Sequence, residues 1–199
     1  MDINILVQNF IEEYGLISIF IIVMLEYANL PLPSEVVLPF VGIMVSKGNI
    51  GFESAVIVSI IGGLVGSITN YLLGLYFGKP VIKYLLENHP RTKESIKSST
   101  WWIKKYGKLS VMLARVVPLA RTFISIPAGM TKMNIASFLL YSSIGISLWN
   151  IVLIYLGYVL GGNLHQIAHI MKNYSIIMLI LMVIGIGVYY ISKKKRHKR

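Results

Sequence analysis

Residues 26–35 read Glu26-Tyr27-Ala28-Asn29-Leu30-Pro31-Leu32-Pro33-Ser34-Glu35, and two glutamates bracketing two prolines decide how the chain around them can fold. Upstream, Tyr14 to Leu30 is an apolar run with Glu26 as its one charge; downstream, Val36 to Val45 is apolar again. Pro31 and Pro33 lack backbone donors and forbid a continuous helix across the stretch. Ten residues of helix rise only about 15 Å, half the thickness of a bilayer's hydrocarbon core, so the piece after the prolines cannot cross a membrane alone. Broken backbone at membrane depth survives only where protein or water covers it. The stretch therefore predicts a re-entrant segment that enters and leaves on one side.

The rest of the chain repeats the theme. Phe52 to Phe77 is long enough to span and has Glu53 as its only charge; Lys79 to Lys108 is polar. Leu109 to Met130 is apolar but interrupted by Arg115, Pro118, Arg121 and Pro127, a second broken segment. Ile135 to Leu160 and Tyr174 to Ile191 are two further spans, and the chain closes on Lys193-Lys194-Lys195-Arg196-His197-Lys198-Arg199. Of 199 residues 55% are hydrophobic and only 14% charged, against about 25% charged in an ordinary globular protein. The expected fold is an all-α membrane protein with about three full transmembrane helices and two re-entrant segments. The first apolar run is not a cleavable signal, because Asp2, Glu12 and Glu13 precede it and no Lys or Arg does. With no cysteine, disulfides, Cys-ligated metal and thiol nucleophiles are excluded.

Internal similarity links the two broken segments. Tyr14-Gly15 recurs as Tyr106-Gly107, each opening a broken run, and Gly42-Ile43-Met44 has an echo in Gly129-Met130. Gly62, Gly74 and Gly78 recur at a constant spacing of 83 as Gly145, Gly157 and Gly161. The expected organisation is a single membrane domain: a first repeat over 14–78, an amphipathic cytoplasmic linker over 79–108, a second repeat over 109–161, then a last helix over 174–191 with a basic tail over 192–199. One crossing per repeat makes the two repeats inverted. Outside the membrane, Lys47 and Lys172 then lie on one side and the other 15 Lys and Arg on the opposite one. By the positive-inside rule the second face, with the C-terminus, is cytoplasmic.

Glu26, Glu35, Arg115 and Arg121 are the ionisable residues at membrane depth, where a charge at the bilayer centre costs about 2.5–3.5 kcal/mol. With Pro31, Pro33, Pro118, Pro127 and Gly129 supplying broken backbone, both segments are expected to line one polar cavity. Two guanidinium groups suit a phosphate, since each can donate a bidentate pair. The two carboxylates suit proton coupling or gating. A competing reading has Glu26 or Glu35 simply pairing with Arg115 or Arg121 to lock the halves together.

The segments Glu26-Tyr-Ala-Asn-Leu-Pro31-Leu-Pro33-Ser34-Glu35 and Arg115-Val-Val-Pro118-Leu-Ala-Arg121, the latter followed by Ser125-Ile-Pro127-Ala128-Gly129, resemble the two signature segments of the DedA family. These are bacterial integral membrane proteins that share a domain with eukaryotic autophagy lipid scramblases, and the resemblance runs from about Tyr14 to Gly162. It implies lipid movement across the bilayer, of undecaprenyl phosphate or phosphatidylethanolamine, coupled to protons or membrane potential. It also implies that Glu26 and Glu35 are the essential acidic pair and Arg115 and Arg121 the essential arginines. Many relatives have an aromatic residue where Leu113 stands here.

The remaining features carry less. His165 and His169 share a helical spacing but no nearby carboxylate, so a structural role is expected and no metal site. Trp101 and Trp102 beside Lys104 and Lys105 read as an interfacial anchor, and the basic tail as a topology signal with attraction for anionic headgroups rather than nucleic acid. Gly62-x-x-x-Gly66, Gly74-x-x-x-Gly78 and Gly157-x-x-x-Gly161 permit close helix approach within the chain or in a homo-oligomer. No phosphate-binding loop for a nucleotide is present. The expected function is not enzymatic and needs no cofactor: translocation of undecaprenyl phosphate from the outer to the inner leaflet of the cytoplasmic membrane, with protons as partner. A phospholipid transporter or scramblase and a proton-coupled cation or small-solute antiporter are the competing readings.

Overall fold

The computed structural model describes residues 9–11, 13–30, 34–88, 105–160, 173 and 176–177. Pro31 and Pro33, Trp101 and Trp102, His165 and His169, and all but a few residues of the expected last helix lie outside the described residues. Those described are helical or in turns, with no strand among them. The helices are α1 (Leu16–Tyr27), α2 (Ser34–Ser46), α3 (Phe52–Asn88), α4 (Pro118–Phe123), α5 (Ser125–Met130) and α6 (Ile135–Leu160); residues 105–114 are helical as well.

Two helices are long and apolar enough to cross a bilayer, Phe52–Gly78 within α3 and all of α6. Helix α3 does not stop where the polar sequence begins but continues through Pro80 to Asn88, into the segment expected as a linker. At 12 and 13 residues, α1 and α2 rise about 18 and 20 Å, short of the roughly 30 Å core. Helix α6 shows why this is not a soluble helix. Its inward stripe of Phe138, Ser142, Gly145, Ile146, Trp149, Asn150, Leu153 and Gly157 is buried. Its outward face of Leu140, Ile144, Leu148, Ile151, Tyr155 and Val159 is exposed and just as apolar. A helix apolar all round belongs in lipid or in a large core.

Helices α3 and α6 form the centre and run antiparallel. Phe52 meets Tyr158 edge-on with ring centroids 6.3 Å apart, Asn150 Nδ2 donates to Ser59 Oγ at 3.0 Å, and Gly63 faces Ile146. Each long helix then carries one leg of each broken segment, through glycines. Helix α1 lies on the first half of α3, where a Cβ added at Gly62 or Gly66 would strike the Phe20 or Met24 carbonyl; α5 lies on its second half, where Gly74 meets the Ile126 carbonyl and Gly129 the Tyr71 carbonyl. On α6, Gly145 abuts Met112 and Arg115, while Gly157 meets the Pro39 carbonyl and Gly42 the Ile154 carbonyl of the α2–α6 seam. Backbones this close leave no room for any side chain.

Candidate functional site

Helix α1 ends before the prolines are reached. The Leu30 amide donates back to the Leu25 carbonyl at 3.0 Å, and Asn29 turns the chain with φ 72°, a conformation in which a short amide side chain is among the few tolerated. This leaves Glu26 in the last turn of α1 and Glu35 in the first turn of α2, one on each side of the break. The second break is built differently. Residues 105–114 end at Ala114, Val117 is extended, and Pro118 opens the short helix α4 at a position where its missing donor costs nothing. Pro127 sits in the first turn of α5, again at no hydrogen-bond cost, and Gly129 is the residue that lets α5 touch α3.

The breaks meet at Arg121. Its Nη2 donates to Glu26 Oε1 at 2.7 Å and to Glu35 Oε1 at 2.7 Å. Glu26 and Arg121 are almost fully buried, whereas the Glu35 side chain is 21% exposed. Both acids thus reach one guanidinium, 95 and 86 residues away in sequence. The pairing named by the competing reading is present, and it joins α1, α2 and α4 at a single nitrogen. The Arg121 guanidinium also lies over the Trp149 ring, 5.5 Å from its centroid.

Arg115 is placed elsewhere. It is completely buried; its Nη1 donates to the Arg121 carbonyl at 2.6 Å, and its Nη2 to Ser125 Oγ at 3.0 Å and Ser142 Oγ at 2.9 Å. Its guanidinium lies over the rings of both Tyr27 and Phe138, 5.5 and 5.7 Å from their centroids. Arg115 therefore spans the second break from behind, tying the backbone of Arg121 to the start of α5 and to α6. Ser125, Ser142, Trp149 and Tyr27 all serve this site and were not singled out in the sequence as site residues. Ser142 and Trp149 stand seven residues apart, two turns, on the buried stripe of α6, and that periodicity is the signal which could have found them. Among the described residues no group of three His, Asp or Glu side chains could hold a metal ion.

Residues 32–159 match the VTT domain. An undecaprenyl phosphate transporter A of Bacillus subtilis (strain 168) is 39% identical over 168 residues, 82% of this chain and 83% of the relative. The chain belongs to the DedA family of VTT-domain membrane proteins. The undecaprenyl phosphate transporter A of Staphylococcus aureus (strain NCTC 8325 / PS 47) is 30% identical over 97% of this chain and 98% of its own length. Protein DedA of Escherichia coli (strain K12) is 27% identical over 98% of this chain and 92% of its own. No solved structure matches the chain. Membership of the DedA family makes this a membrane protein. The two transporter relatives are named for transport, in keeping with the expectation of a carrier rather than an enzyme.

Proposed function

We propose that this protein returns undecaprenyl phosphate from the outer to the inner leaflet of the cytoplasmic membrane, with Arg121 as the group that receives the phosphate. One observation carries the reading: a buried guanidinium held on a single nitrogen by two carboxylates from different helices. A phosphate oxyanion makes the same charge-assisted hydrogen bonds as those carboxylates and competes with them directly. Glu35 is the more exposed of the two and leaves first. A carboxylate released from its cation takes up a proton more readily, so phosphate binding and proton uptake are linked, and linkage acts in both directions. Arg115 acts from behind, keeping the Arg121 backbone in place, in the role of a strut rather than a phosphate ligand. The two broken segments form inverted re-entrant halves, and the excess of Lys and Arg over 79–108 and in the tail puts that face and the C-terminus in the cytoplasm. The names of the two transporter relatives support the choice of lipid.

Leaflet-resolved transport in proteoliposomes tests this. The wild type is expected to move undecaprenyl phosphate faster than phosphatidylethanolamine, and faster with an imposed pH difference than without. Glu35→Gln is expected to retain undecaprenyl phosphate binding and lose the dependence on the gradient. Equal rates for both lipids would point to a general scramblase, and cation flux without lipid movement to an antiporter; either result overturns the proposal.

A further inference from the structure

Tyr27, the last residue of α1, is 1% exposed and fixed from three directions. Its carbonyl accepts a hydrogen bond from Asn70 Nδ2 at 2.8 Å. A Cβ added at Gly66 would lie 2.9 Å from its Cβ, and one at Gly63 would lie 3.5 Å from its Cδ2. Its ring covers Arg115. The hydroxyl, though buried, has no hydrogen-bond partner among the described residues. An orphaned buried hydroxyl costs about 1–3 kcal/mol, and native structures seldom retain one without a use. Phenylalanine would cover Arg115 equally well without that cost, so the ring does not explain the tyrosine. The Tyr71 hydroxyl, by contrast, donates to the Met133 carbonyl. Tyr27 packs in the apolar core and also borders the charged cluster, with its ring against the Arg115 guanidinium and its chain neighbour Glu26 paired with Arg121.

We infer that the Tyr27 hydroxyl is a further phosphate-binding group, donating a hydrogen bond to an oxyanion seated on Arg121 once Glu35 has moved aside. The inference rests on the reading of Arg121 given above. A phosphate monoester presents three terminal oxygens; a guanidinium fork takes two, and a third needs a donor. A neutral hydroxyl supplies it without adding a further cation to an already charged site. The chemistry recognised is the phosphate group, whether carried on a lipid or free in solution.

The test compares the full-length wild type with Tyr27→Phe in lipid nanodiscs, measuring the Kd for undecaprenyl phosphate, for undecaprenol and for inorganic phosphate. Loss of one hydrogen bond is expected to weaken undecaprenyl phosphate binding roughly three- to tenfold. Undecaprenol binding should be unchanged, and the melting temperature unchanged or higher. Equal affinity of the two proteins for undecaprenyl phosphate overturns the assignment, as does a lowered melting temperature with unaltered affinity, the signature of an internal partner. If the wild type binds undecaprenyl phosphate no better than undecaprenol, the proposed lipid is wrong. Inorganic phosphate then decides: weaker binding by Tyr27→Phe sustains the role of the hydroxyl, and equal or absent binding ends it.

Discussion

The two broken segments share a scaffold and differ in what they do with charge. Each starts at a Tyr-Gly pair whose glycine has a positive φ, 58° at Gly15 and 48° at Gly107. Each sends its first leg along one long helix and its second leg along the other, sealed by glycine against carbonyl. But the first segment carries two carboxylates, one on each side of its turn, and no cation between them. The second has two arginines and turns one inward to stabilise its own break. A buried charge on broken backbone can thus hold its own segment, as Arg115 does, or pair across to another, as Arg121 does.

That division can be broken at Arg115, where the largest effect on stability is expected. Arg115→Ala strands the Arg121 carbonyl, Ser125 and Ser142, each worth about 1–3 kcal/mol when left unsatisfied in a buried setting. Loss of about 3 kcal/mol or more should appear as a sharply lower melting temperature in detergent. Arg115→Lys should fail almost as badly, because a point charge cannot reach three acceptors as a planar fork does. Arg121→Lys keeps a cation between the carboxylates, so it should spare the melting temperature and impair lipid transport. Equal melting temperatures for the two lysine variants would erase the distinction between strut and site.

The shared scaffold is probed at the seams. Gly157→Ala and Gly129→Ala each push a methyl group into a backbone carbonyl of the opposite half, and overpacking of this kind costs about 1–3 kcal/mol. The two losses should match, measured by thermal unfolding of each variant. A large loss at only one of them would mean that the segments are not anchored alike. The smallest effect belongs to the second entry turn. A Cβ at Gly107 meets nothing within 4 Å, so Gly107→Ala costs only the strain of a positive φ, about 1–2 kcal/mol. A further substitution to Asn, which tolerates that conformation better, should recover part of the loss at Gly107.

Much of this was legible in the sequence because breaks and glycines leave local marks. The Pro31/Pro33 and Pro118/Pro127 interruptions locate the two broken segments, and the spacing of 83 that links Gly74 with Gly157 picks out the two glycines that seal the second legs. Glu26, Glu35 and Arg121 stood out because charge is rare in apolar sequence, and the three do converge. What could not be read was partnership. Nothing local distinguishes Arg115 from Arg121; their roles separate only when Ser142 and Trp149 arrive from α6. A serine in an apolar helix is ordinary, as most such hydroxyls bond within their own turn, as Ser59 does to Val56. Nor could composition foretell that α3 runs through Pro80 to Asn88, since helix ends are set as much by tertiary contacts as by local preference.

The crossed packing of the legs also bears on how the protein is made. Helix α2 belongs to the first half of the chain, yet the surface that its Gly42 fits is provided by Ile154 and Gly157. Arg121, which neutralises Glu35, is synthesised 86 residues after it. At roughly 5–20 residues per second, the first half emerges from the ribosome several seconds before its counter-charge and its resting place exist. During that interval two carboxylates have no guanidinium to meet, and they are better kept at the membrane surface or protonated than driven into lipid. The first broken segment therefore reaches its packed and neutralised state only after the second half has been made, even though its sequence comes first.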